Sequence, residues 1–262
     1  MRKSRVGFFV AAMLVFVLGS AGAVMADNFA YEATGSDDFG KIDLNTGVYT
    51  QIGNMGSLLS GLGVAGGVIY GGIDLGSTLY SVNPTSGALT AIGSGSMSYA
   101  LTGSTLTGLY ALDTAGYSGG IANLWSIDPH TGAATMIGPT GITYTDTIGL
   151  STNSSTLYFT TGPNLYTLNT TTGAATLVGS TGIGIGALVF ESGLLYGGRS
   201  PVAVYTLNTT TGAATFVANV TGAPGTFWGL TPLPTPVPIP GAVLLFGPGL
   251  AGLAAIRRRF KK

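Results

Sequence analysis

Tyr166-Thr167-Leu168-Asn169-Thr170-Thr171-Thr172-Gly173-Ala174-Ala175-Thr176 recurs without change over eleven residues as Tyr205-Thr206-Leu207-Asn208-Thr209-Thr210-Thr211-Gly212-Ala213-Ala214-Thr215. Looser copies run from Gly40 to Gly47, Leu79 to Gly87 and Leu124 to Gly132. Their closing glycines, Gly47, Gly87, Gly132, Gly173 and Gly212, stand 40, 45, 41 and 39 residues apart. In each copy an Asn or Asp can accept a backbone N–H bond, Pro84 and Pro129 pre-set a turn, and the glycine supplies the left-handed conformation that ends it. An outermost strand follows each turn. Two more strands precede it: 62–65 then 68–71, 99–102 then 106–111, 148–152 then 156–160, and 187–190 then 194–197. Four short alternating strands in a period near forty residues predict an all-β fold, a β-propeller.

The copy nearest the N-terminus lacks an inner strand, because Phe29–Ala33 already reads as a second strand. Phe227–Thr231 supplies the missing one from the far end of the repeats. Joining both ends within one blade closes the ring and removes two exposed edges. The expectation is five four-stranded blades in one domain spanning residues 27–231. A sandwich or a β-helix is the alternative, and the forty-residue period argues against both.

Composition excludes several kinds of chemistry. The chain of 262 residues has no cysteine and one histidine, so thiol catalysis, disulfides, Cys-ligated zinc and multi-His metal sites are ruled out. Charged side chains make up 8% of it, far below the usual level of ~25%. The charges are also segregated. Between the basic ends lie only Lys41 and Arg199 against all ten acidic residues, a formal balance of −8. Nucleic acid is not a partner for such a surface.

Both ends read as addresses. Arg2, Lys3 and Arg5, the apolar run 6–18 and Val24-Met25-Ala26 form a signal peptide over residues 1–26, cut after Ala26. Prolines 232, 234, 236, 238 and 240 make an extended linker over 232–240. Residues 241–256 are apolar and uncharged, and Arg257-Arg258-Arg259-Phe260-Lys261-Lys262 follows at once. This predicts a short transmembrane helix with its basic tail, 257–262, in the cytoplasm.

The sequence Val237-Pro238-Ile239-Pro240-Gly241, then Leu245 to Leu253 with its glycines, then Arg257, Arg258 and Arg259, resembles the C-terminal sorting signals of the PEP-CTERM type, in their Val-Pro-Leu-Pro-Ala variant. The Pro-Glu-Pro triplet that names the larger family is absent. The resemblance covers residues 237–262 and implies processing by an exosortase-type enzyme. It also implies a bacterial protein displayed at the cell surface or released to an extracellular matrix rich in exopolysaccharide.

Candidate site residues follow from blade geometry. Turns joining first to second and third to fourth strands share one face, which the repeated Asn-x-x-x-Gly turns mark as regular scaffold. The opposite face carries the loops that differ from blade to blade, where binding groups tend to sit. Asp37, Asp38, Asp74, Asp113, Asp146 and Arg199 fall there, with Tyr99, Tyr117, Tyr144 and Trp228 near the inner rim. Asp74, Asp113, Asp146, Tyr99, Tyr144 and Trp228 are the candidate ligand-binding set: carboxylates for sugar hydroxyls or Ca²⁺, and rings for stacking. No other cofactor is expected. Trp125 aligns with Tyr80, Tyr166 and Tyr205 and reads as packing. His130, Asp43 and Asp128 read as turn residues, and Glu191 as a solvated hairpin residue.

Three functions fit. The first is a non-catalytic binding module, foremost for polysaccharide. The second is a passive matrix protein, and the third a propeller glycosidase or lyase, which needs opposed carboxylates at the central cavity. Near-identical blades disfavour the third, because an active site needs blades that diverge.

Overall fold

The computed structural model describes residues 28–73, 76–94, 100–104, 108–113, 120–143, 145, 148–199 and 202–234, with the backbone alone at 100–104 and 228. The signal peptide, the sorting residues Val237, Pro238, Pro240 and Arg257–Arg259, and the predicted transmembrane helix lie outside the described residues. Among the described residues no helix is long and apolar enough to cross a membrane.

Alternating apolar and polar residues between glycine-rich turns fold as short antiparallel strands, and these form five four-stranded sheets. Blade 1 joins both ends of the repeat region: β20 (Phe227–Pro232), β1 (Phe29–Thr34), β2 (Asp38–Asp43) and β3 (Tyr49–Asn54). Blade 2 is β4 (Leu59–Ala65), β5 (Val68–Ile73), β6 (Thr78–Val82) and β7 (Leu89–Ser94). Blade 3 is β8 (Ala100–Ser104), β9 (Gly108–Asp113), β10 (Ile121–Ile127) and β11 (Ala134–Thr143). Blade 4 is β12 (Ile148–Thr152), β13 (Leu157–Thr161), β14 (Asn164–Leu168) and β15 (Ala175–Ser180). Blade 5 is β16 (Ala187–Glu191), β17 (Leu194–Arg199), β18 (Ala203–Leu207) and β19 (Ala214–Asn219). The five innermost strands touch in the cycle β20, β4, β8, β12, β16 and back to β20, so the ring is closed. This is the five-bladed propeller that the repeat predicts.

Small differences have local causes. β9 runs two residues further along than an apolar run starting at Leu106 predicts, because pairing sets Leu101 opposite Ala111 and carries the strand to Asp113. Asp38, expected in a loop, is the first residue of β2 and is buried.

Five apolar clusters fill the spaces between successive blades. One joins Leu79, Leu109 and Ile127 across blades 2 and 3, and another joins Tyr158, Leu165 and Leu195 across blades 4 and 5. Each large side chain buried this way contributes roughly 1.5–3 kcal/mol.

The repeated turn explains its own sequence. Gly47, Gly87, Gly132, Gly173 and Gly212 have φ of 72° to 82°, and each donates its N–H to the carbonyl oxygen of the turn's first residue at 2.8 Å. That residue's side-chain oxygen accepts the N–H two positions on, as in Asp43 to Asn45, Asn83 to Thr85 and Asp128 to His130. The glycine also fits against the neighbouring blade. A Cβ on the outer-strand glycine Gly53, Gly93, Gly138 or Gly179 would collide with the carbonyl oxygen of Ser86, Thr131, Thr172 or Thr211, each in the next blade's turn. Outer strand and turn thus interlock around the rim. Where blade 5 meets blade 1 the outer-strand residue is Ala218, and backbone bonds supplement the contact: Thr221 N–H to the Gly47 oxygen at 3.0 Å and Tyr49 N–H to the Thr221 oxygen at 2.9 Å.

Candidate functional site

The inner strands start on the irregular face and converge on a narrow cleft of about 10 Å³, bordered by Ser60, Gly61, Gly149, Ala187, Leu188 and Leu230 among others. Small residues alternate with leucine here because neighbouring strands nearly touch. A Cβ on Gly229 would meet the backbone of Gly61 and Leu62. Among the described residues no acidic side chain lines this cleft.

Of the six candidate ligand-binding residues, Asp74, Asp146, Tyr99 and Tyr144 lie outside the described residues. Trp228 is placed in β20, the inner strand of blade 1. Asp113 stands at the loop-face end of β9, half-buried, and its carboxylate is occupied. It accepts from the Asn123 backbone N–H at 2.8 Å, from Asn123 Nδ2 at 3.1 Å, and from Trp125 Nε1 at 2.9 Å. Asp113 therefore braces the start of β10, and Trp125, a packing residue against the Leu79–Leu109 cluster, is also pinned by its ring N–H. Arg199 ends β17 on the same face.

His130, Asp128 and Asp43 lie in scaffold turns as the sequence indicates. Asp128 is held below the usual carboxylate range by the His130 backbone N–H that it accepts. Glu191 is only half-buried, and burial raises its carboxyl.

The structure places a second polar cluster that sequence reasoning passed over. Cross-strand pairing lines up one row of residues through every blade. The row is Leu62–Gly71–Tyr80–Ala91, Leu101–Ala111–Trp125–Met136, Leu150–Phe159–Tyr166–Leu177 and Leu188–Gly197–Tyr205–Phe216 in blades 2 to 5. In blade 1 it is Leu230–Glu32–Gly40–Gln51. The aromatic residue is missing, and Tyr49 takes its place from the outer strand. A Cβ on Gly40 would strike the Tyr49 ring and hydroxyl, so that ring lies across Gly40 on the face that Glu32 occupies. Glu32 is fully buried, and neither its carboxyl oxygens nor the Tyr49 hydroxyl has a hydrogen-bond partner. Burial pushes the Glu32 carboxyl well above its ordinary value. Burial, with the nearby Glu32 and Asp38 charges, pushes the Tyr49 phenol up in turn. Asp38 accepts from Gln51 Nε2 and Asn54 Nδ2 beside it. The signal was present: aligning second strands sets Glu32 against Gly71, Ala111, Phe159 and Gly197.

No protein-family model matches the sequence, and no curated protein matches it. Among solved structures the chain is similar to one in a crystal structure of a nidogen/laminin complex. The TM-score is 0.54 at 13% identity, covering 79% of this chain and 81% of that one. At that identity the likeness is one of fold, the propeller.

Proposed function

We propose that this chain is an exported, surface-displayed propeller whose irregular face is a non-catalytic binding site for polysaccharide. The observation that carries it is the division of the ring into two unlike faces. One is covered by five equivalent, internally satisfied turns, and the other carries connecting segments whose sequence and length differ from blade to blade. A rigid ring bearing variable loops is a common way to hold a binding surface. The sparsely charged, hydroxyl-rich and amide-rich surface suits a sugar better than a highly charged partner. The solved propeller to which the chain is similar belongs to a protein–protein complex, which supports recognition as a use of the fold. In the same proposal the N-terminal signal exports the chain, and the sorting segment 237–262 holds it until an exosortase-type enzyme acts.

A glycan array probed with the purified protein tests the binding claim directly. Asp74→Ala, Trp228→Ala and Asp113→Asn are expected to weaken binding of any glycan found, whereas His130→Ala on the scaffold face leaves it intact. Equal losses from both faces would place the site elsewhere. No bound glycan in a broad array would favour the passive matrix reading, which the regularity of the blades also accommodates.

A further inference from the structure

Glu32 sits midway along β1 with no exposed surface and with both carboxyl oxygens unpartnered. Strand alternation puts it with Ala30 on the side of β1 that packs against blade 5, where Ala30 joins Val189, Tyr196 and Phe227 in one cluster. The titratable groups on that side are Asp38 from β2, Tyr49 from β3, Glu191 at the end of β16 and Tyr196 from β17. The β20 strand contributes Leu230 and Phe227, and β4, on the other side of β1, has no titratable residue.

None of these groups can carry a positive charge. Among the described residues the cations are Lys41 and Arg199. The Lys41 ammonium lies 3.7 Å over the Phe29 ring, and both residues alternate away from Glu32. Arg199 alternates away from Gly198, the residue that meets Phe227. No group of three or more His, Cys, Asp or Glu side chains among the described residues stands ready to hold a metal ion. A carboxylate in such a place lacks both a counter-charge and hydrogen bonds, and that is costly enough that the group neutralises itself. The neutralising species left is a proton.

We propose that Glu32 is an acid-operated lock on the ring: protonated, it lets blades 1 and 5 close over it, and its ionisation loosens the seam. The inference does not depend on the loop face being a binding site. Blade 1 is where such a charge acts, because no loop connects β1 to β20 and their pairing, Ala30↔Pro232 to Thr34↔Phe227, is held only by hydrogen bonds and by packing in the cluster that Glu32 adjoins. The sign follows from linkage. The folded-state value lies above the ordinary 4.5, so the stabilisation is complete below about 4.5 and is lost as pH rises through the raised value.

Thermal unfolding of the full chain between about pH 5 and pH 8, in wild type, Glu32→Gln and Asp38→Asn, tests this. It is paired with amide-exchange protection factors in β1 and β20 against those in β13 and β14. The wild-type midpoint and the β1–β20 protection should fall with rising pH. Glu32→Gln should remove the slope and keep the acid-level midpoint, and Asp38→Asn should retain the slope. The same slope in Glu32→Gln, or protection lost evenly through the ring, overturns the lock. So does a wild-type slope abolished by added Ca²⁺, which would make the neutralising species a cation. Should Glu32→Gln not fold, the wild-type exchange pattern alone decides between seam-specific loosening and none.

Discussion

Single residues set how closely the blades approach one another. Gly179 is one such position, since any side chain there drives into the Thr211 carbonyl of the next blade. Gly179→Val is expected to destabilise by ~2 kcal/mol through overpacking, seen as a lowered midpoint. Gly182→Ala, which meets only open space but has φ of 73°, should lose less. Asp113 makes a different prediction. Asp113→Ala leaves the Asn123 and Trp125 donors unpaired and should cost about 1–3 kcal/mol, with altered Trp fluorescence, whereas Asp113→Asn keeps an acceptor oxygen and should lose less. At this scale the turn chemistry was fully legible, because Asn, Pro and Gly act on their own neighbours. The Asp113 bonds and the Glu32 burial were not, since both depend on what another strand brings alongside.

Strand by strand, the correspondence between sequence and structure is close. Phe29–Ala33 and Phe227–Thr231 were expected as partners in one blade, and β1 pairs with β20 through Ala30↔Pro232 and Glu32↔Leu230. The bulge that recurs between third and fourth strands in every blade was not foreseen. It comes from an outer-strand residue skipped in pairing so that the following small residue, a glycine in four blades and Ala218 in blade 5, can approach the next turn, and no local pattern announces it. Removing residues 225–262 deletes β20 and bares the edge of β1, whereas removing 235–262 spares every described strand. The first truncation should lower the thermal midpoint far more than the second. Equal midpoints would argue that blade 1 does not need its C-terminal strand.

For the whole molecule, the fold was readable because a repeat states its architecture several times, and averaging over copies suppresses local ambiguity. The loop face was not readable to the same degree, because its function would lie in the differences between copies. Export and anchoring make the prediction at this scale. Surface material is expected to begin at Asp27 and to end near residues 237–241. N-terminal sequencing and intact mass would check this, and a product still starting at Met1 would refute it.

Blade 1 also imposes an order in time. Its β1 is the first strand of the domain to be synthesised and β20 the last, so the ring cannot complete itself before residue 232 has been made. Until residue 232 is free, the molecule is an arc with one unpaired strand at each end. A chain that crosses a membrane N-terminus first would therefore cross before it is able to finish folding. For such a chain, closure falls after passage.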